Sequence, residues 1–376
     1  MKIIIHKNIN EIAVSTWNTL VIDNNPFLQH EFLAALENHG CVSDQYGWTP
    51  CHIAIYSNNK LIGAMPLYEK HNSYGEFVFD HAWADAYQRS GFNYFPKLVS
   101  SIPYTPATGQ RLLAIENQQE EIFGLLLKTA QQLCEQKNYS GFHCLFPTQK
   151  QHKWLTQQNL LTRYDCQFHW HNNDYSSFDD FLATLTAKKR KNIRQERRRV
   201  EQSNITLRCL DGHTATDKDW KDFTLFYNQT FAEKHGMATL NYGFFHEVAQ
   251  KLPQHILLVL ADTEAGECIA GSLMFVSDTT LYGRHWGAIE QVDKLHFEAC
   301  YYQGIEYCIE HNIQHFEPGA QGEHKIARGF LPTLTQSSHW LNNSPFQASI
   351  EQFVQHEQDA IKRYIDSLKS PYKENI

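Results

Sequence analysis

LYGRHWGAIEQVDKLHFEACYYQGIEYCIEHNIQHFEPGAQGEHKIARGF, residues 281–330, is the stretch on which the reading of the chain turns. Two short strand candidates, LYGRHWG and IQHFE, flank one helical run, HFEACYYQGIEYCIEHN. Arg284, His285, Trp286, Glu298, Tyr301, Tyr302, Glu317, Glu323, His324, Lys325 and Arg328 crowd into it beside several glycines. That density of reactive groups marks the segment as a candidate site.

Working outward, DWKDFTLFYNQTFAEKHG (219–236) predicts a helix stopped at Gly236, and YGFFHEVAQKLP (242–253) a second. HILLVLADTEAGECIAGSLMFVSDTTLYGRHWG (255–287) reads as a three-strand meander with turns at 264–267 and 277–279. TLTQSSHWL (333–341) is a last strand, and beyond Pro345 a helix carries Ile361, Tyr364, Ile365 and Leu368 on one face.

The first half repeats the order. FLQHEFLAALENHG (27–40) is an amphipathic helix ended by Gly40, and residues 52–56 and 61–68 form a hairpin around Ser57-Asn58-Asn59. Gly63 within it predicts a bulge or a close backbone approach. Residues 77–79 read as a strand. The segment that follows, with His81, Trp83, Asp85, Tyr87 and Arg89 among Gly91, Pro96, Pro103, Pro106 and Gly109, reads as irregular, a cleft wall or a capping loop. A helix at 118–136 and a strand at 141–146 complete this half. IAIYSNNKLIGAMPLY (53–68) lines up with LVLADTEAGECIAGSLMF (258–275), an internal echo that supports duplication.

Between the halves, SSFDDFLATLTAKKRKNIRQERRRVEQ (176–202) opens on a capping box of Ser177 with Asp180 and an apolar stripe of Phe178, Phe181, Leu182 and Leu185. Lys188, Lys189, Arg190, Lys191, Arg194, Arg197, Arg198 and Arg199 follow, with Ile193 and Val200 on the buried side. The cluster is either a solvated helix face or, at Arg194, Arg197 and Arg198, a phosphate or nucleic-acid contact, because guanidinium groups fork onto phosphate oxygens. The expected organisation is therefore a first domain at 1–172, a basic linker helix at 173–204 and a second domain at 205–376.

Composition limits the partners. The chain has 376 residues, and its 33 Lys and Arg against 41 Asp and Glu give a formal charge of -8, so any basic surface is local. The nine cysteines are scattered without a CxxC or zinc-like spacing, which predicts reduced thiols. His169 and His171 lie two apart with no Cys or carboxylate at a recognised spacing, so no metal is expected. The N-terminal apolar run is too short for a signal peptide and no stretch approaches a membrane span, so the expectation is a cytoplasmic protein without membrane insertion.

RHWGA, LHFEACYYQGIEYCIEHNI, FEPGAQGEHKIARGFLP, WADAY, YFPKL, PYTPATGQRLL and the RKNIRQERR helix together resemble the tandem-GNAT proteins labelled peptidoglycan biosynthesis or recognition, distant relatives of the FemAB peptidyl transferases. The resemblance covers most of residues 20–340. It implies an α/β fold of two GNAT-like domains, each a mixed central sheet flanked by helices, and an N-acyltransferase that moves an acyl group of the acetyl-CoA type onto an amine acceptor. The acceptor would be a small molecule or peptide. FemAB-type relatives instead take the acyl group from aminoacyl-tRNA and transfer it to a cell-wall precursor, which makes tRNA the alternative partner. A third reading is a non-catalytic ligand-binding module of the same fold.

Two departures bear on these readings. FemAB-type relatives carry a Phe-Lys pair followed by Gly-Phe, and the comparable place here reads His324-Lys325, then Gly329-Phe330. The glycine-rich pyrophosphate loop expected after the fourth GNAT strand is replaced by AIEQVDKLHFEA, which weakens the case for acyl-CoA as donor.

On this basis Lys325 is the candidate to stabilise an oxyanion, His324 the candidate general base and Glu323 their catalytic neighbour. The structural alternative for Lys325 is a salt bridge to Glu323 or Glu317. Arg284, Trp286, Tyr301 and Arg328 are candidate substrate-binding residues, with Trp83, Asp85 and Tyr87 a facing wall. Strand alternation would put Arg284 and Trp286 on one face and His285 on the other.

Overall fold

A computed structural model describes residues 1–320 and 322–373. The chain divides into two compact units, residues 1–166 with 334–366, and residues 167–333 with those from Ser367 onward. These limits differ from the ones drawn on the sequence, because strands Leu161–His171 and Leu331–Leu341 each run across the division. The last strand thus gives residues 334–341, and with them most of the final helix Gln347–Ser367, to the first unit. The basic segment expected as a linker lies within the second.

In the first unit, Lys2–His6, His52–Ser57, Lys60–Met65 and Leu113–Ala114 form an antiparallel sheet in that order. A register shift between Ile55 and Tyr56 is the bulge in the hairpin. A Cβ on Gly63 would lie 2.2 Å from Ile122 Cγ2, so helix Gln119–Lys137 seats on the hairpin only because that position is glycine. Further strands run in the order Gly141–Leu145, Lys97–Ser100, Tyr68–Lys70 and Trp48–Pro50, the first two parallel. Ile53, Ile55, Leu98, Leu126, Phe142 and Leu155 share the core between that helix and the strands.

The segment read as irregular contains a helix, His81–Arg89, and no strand forms at 77–79, where Phe77 takes a left-handed φ of 59°. Trp83 and Tyr87, one turn apart, bury one face of this helix against Tyr94, Leu341, Ile350 and Val354.

In the second unit, Thr206–Leu210, Ile256–Asp262, Cys268–Val276 and Thr280–Ala288 form the antiparallel meander. His315–Glu317 then adds in parallel beside Thr280–Tyr282. Thr216 and Asp219 close a reciprocal capping box on helix Asp217–Glu233. That helix buries Trp220, Phe223, Phe226 and Tyr227, and a Cβ on Gly287 would stand 2.1 Å from the Phe226 carbonyl oxygen, so helix and strand are in backbone contact there. Ser177 caps Phe178–Thr184, but Asp180 returns its carboxylate to the Ser176 amide, so the box is not closed on Ser177 itself. Helix Ala187–Gln202 buries Ile193 and Val200 as its spacing predicts.

Candidate active site

The second unit is built around a fork. Thr280–Ala288 and His315–Glu317 pair over Thr280, Leu281 and Tyr282 only. Beyond that point Pro318 meets Gly283, where a Cβ would come within 3.1 Å of the proline Cα, and the strands part. The edge of Gly283–Trp286 that faces away from the meander then borders a cavity of about 280 Å³, with Pro318 opposite. Tyr227 and Thr230 of helix Asp217–Glu233 close one side, and His296, Cys300 and Tyr301 the other.

The strand is bulged where it enters the cavity. Leu273 pairs with His285 and Met274 with Gly283, leaving Arg284 as the extra residue. Simple alternation therefore fails, and Arg284, His285 and Trp286 all line the cavity. Burial lowers the Arg284 pKa to about 10, against the favourable influence of Tyr227 and Glu317. Burial, with Arg284 alongside, pushes His285 well below the ordinary imidazole range, so its ring is neutral and packs edge-on to Tyr227 at 5.2 Å between centroids.

The helix across the cavity is also irregular. Between Leu295–Phe297 and Gln303–Glu310 the residues Glu298–Tyr302 form a π-helical turn, a device that re-aims side chains within a helix. Tyr301 hydroxyl lies 2.9 Å from His324 Nε2. Partial burial, then the Arg328 and Lys325 charges, lower the His324 pKa, which leaves a neutral ring able to take a proton. Burial raises that of Tyr301, so the phenol stays protonated.

Glu323, His324, Lys325 and Arg328 share the 3-10 turn Glu323–Arg328. Lys325 is 2 % exposed and donates to the Gly319 carbonyl at 2.8 Å, not the side-chain pairing considered from sequence. A Cβ on Gly319 would lie 3.5 Å from the Gly283 carbonyl oxygen, so this contact sets Lys325 beside the fork. Burial lowers its pKa to about 8. Arg328 lies over the Phe297 ring at 3.4 Å and donates to the His324 carbonyl at 2.7 Å. Glu323 is exposed.

The remaining predicted site residues fall elsewhere. Trp83 and Tyr87 belong to the first unit's core, with Tyr87 donating to Ser344 Oγ at 2.5 Å, while Asp85 is exposed beside Arg89. Arg197 is turned inward and grips Glu298 and Glu306, and Arg194 pairs with Asp179 at 2.9 Å on the surface. Arg198 lines an open groove of about 770 Å³ with Arg190, Lys191 and Arg194. No group of three or more His, Cys, Asp or Glu able to hold a metal occurs among the described residues, nor a helix long and apolar enough to cross a membrane. All nine cysteines are free thiols.

Sequence reasoning missed Tyr227, Thr230, His296 and Glu196. Glu196 had a signal, an acid inside RQERRR. Tyr227 had only its place in an apolar helix stripe.

The family described as peptidoglycan biosynthesis/recognition, FemAB-like, matches residues 8–374. The chain belongs to the FemAB-like family. No curated protein matches it. Among solved structures it is similar to FemX, with a TM-score of 0.53 at 12 % identity over 94 % of this chain and 100 % of that one. L-PGS from Bacillus licheniformis has a TM-score of 0.52 at 10 % identity, covering 89 % of this chain and 98 % of that one. A conserved protein of Bacteroides thetaiotaomicron has a TM-score of 0.51 at 10 % identity, covering 90 % and 99 %. At these identities the likeness is one of fold, and it extends over nearly the whole of this two-unit α/β chain.

Proposed function

We propose that this FemAB-like chain transfers an acyl group from an activated donor to an amine, at the fork of the second unit. One observation carries the reading: Thr280–Ala288 and His315–Glu317 separate after three paired residues, leaving a strand edge against a cavity that also receives Arg284, Tyr301 and His296. Main-chain donors on such an edge hold a carbonyl group, and preorganised donors stabilise the oxyanion that forms on attack. In this reading His324, neutral and in contact with the cavity residue Tyr301, receives the amine proton. Lys325 supplies positive charge beside the same backbone. The acceptor class that the family description favours is an amine of a peptidoglycan precursor.

Of the two donors considered, aminoacyl-tRNA is the better supported. The loop at 289–294, where a pyrophosphate would meet glycines, carries none and instead lines a cavity of about 540 Å³ with Glu290, Asp293 and Lys294. The Arg190, Lys191, Arg194 and Arg198 groove offers a surface for a polyanion. The deciding experiment offers the purified protein a lysine-containing muramyl peptide with either acetyl-CoA or aminoacyl-tRNA, and follows new amide by mass spectrometry. Amide formed with the tRNA donor alone is the expected result. Amide from acetyl-CoA would reverse the choice of donor, and none from either would count against transfer to this acceptor.

A further inference from the structure

The first unit contains a cavity of about 160 Å³ that the acyl-transfer reading does not use. Strand Leu161–His171 contributes Arg163 and Asp165 to its wall, strand Leu331–Leu341 contributes Thr335 and Ser337, and the C-terminal helix contributes Glu357. Val78, Phe146 and Ile361 make its apolar side.

Two donors in this wall are unused. Arg163 Nη1 and Thr335 Oγ1 are buried and have no hydrogen-bond partner among the described residues, in side chains of residues 7 % and 4 % exposed. The rest of the guanidinium is committed: Nε and Nη2 hold the Glu357 carboxylate at 2.7 and 2.6 Å, and Nη2 also donates to the Phe79 carbonyl at 3.0 Å. Ser337 is tied back to His339 Nε2 at 2.8 Å, and His339 to His143 at 2.5 Å, so Thr335 is the hydroxyl left over. Donors buried in this way are costly to the fold unless an acceptor oxygen meets them.

Charge selects the acceptor. Arg163 faces two carboxylates, Glu357 and the exposed Asp165, so the lining is not positive and an anion gains nothing by entering. A neutral carbonyl oxygen meets both donors without that penalty, and an amide adds an N–H suited to Asp165. Size agrees, since a cavity of about 150 Å³ holds a molecule as large as benzene.

We infer that this cavity binds a neutral secondary amide carrying a small alkyl group. The carbonyl oxygen accepts from Arg163 Nη1 and Thr335 Oγ1, the N–H points toward Asp165, and the alkyl group lies against Val78, Phe146 and Ile361. Acetamido and alanyl units of a larger molecule have this chemistry.

The test is saturation-transfer NMR of the full chain with N-methylacetamide, with acetate as competitor. Binding is expected with a dissociation constant on the order of millimolar. Thr335→Val keeps the shape, removes a hydroxyl without a partner, and should weaken binding about tenfold while its melting temperature does not fall. Acetate should leave the signal unchanged. Three results would overturn the inference: no transfer at concentrations on the order of 100 mM, equal affinity in a folded Thr335→Val, or displacement by acetate.

Discussion

Arg328 donates to Glu196 at 2.7 Å, with side chains only 7 % and 16 % exposed, and the Tyr302 hydroxyl donates to the same carboxylate. One acid on the inner side of the basic helix Ala187–Gln202 therefore fastens both the turn that carries His324 and Lys325 and the π-helical turn that carries Tyr301. The next residue, Arg197, adds two acids of its own on the helix across the cavity, Glu298 and Glu306.

Glu196→Ala should leave the Arg328 guanidinium buried without its partner, a loss of about 3–5 kcal/mol for a buried pair. Urea unfolding measures it, and a change within about 0.5 kcal/mol, the usual span of surface substitutions, would mean that the pair does not hold the turn. Replacing both residues by apolar ones should recover part of the loss.

Gly287→Ala should be among the most damaging single-methyl changes in the chain. Its Cβ would stand 2.1 and 2.3 Å from the carbonyl oxygen and carbon of Phe226, and neither is the flexible end of a side chain. Helix Asp217–Glu233 must then lift from the strand, at about 1–3 kcal/mol for overpacking. Thermal unfolding reads the stability, and any acyl transfer should fall too, because Tyr227 and Thr230 move with the helix.

Most of the fold was legible where the pattern was local. The meander at 255–287 declared itself through aliphatic runs broken by polar turns, and the basic helix through Ile193 and Val200. The helix His81–Arg89 was hidden by the glycines and prolines that follow, although Trp83 and Tyr87 at helical spacing were its mark. The arrangement of the candidate residues was not legible in the sequence. Arg284 and Tyr301, candidates for substrate binding on the sequence, both line the cavity, yet the bulge at Arg284 depends on register with Leu273 and Met274, which no local pattern encodes. Arg197 read as a phosphate ligand because its carboxylate partners lie 101 and 109 residues away.

That difference among the arginines is testable. Arg194→Ala with Arg198→Ala should reduce tRNA affinity and flatten its salt dependence, with a log–log slope lower by about 0.9 per phosphate contact removed. Arg197→Ala should act mainly on stability, because it strands the carboxylates of Glu298 and Glu306. Filter binding at several salt concentrations, beside a urea melt, separates the two. Equal loss of affinity with unchanged stability in Arg197→Ala would contradict its inward role.

Lys325 gives the sharpest dependence on pH. Burial lowers its pKa from the ordinary 10.5 to about 8, so between those values the unfolded chain holds a proton that the folded chain has released. Stability must therefore rise with pH across that window, and the folded protein carries the whole cost of the buried charge below pH 8. By linkage the net cost of holding the charge there is about 3 kcal/mol. Lys325→Met should accordingly be more stable than the wild type at neutral pH, and the advantage should vanish by about pH 10.5. Turnover should move the other way: if Lys325 acts as a cation at the fork, activity falls as pH rises through about 8, and Lys325→Met is inactive though well folded. Activity that instead rises through that pH would make the neutral amine the working form and remove the oxyanion role.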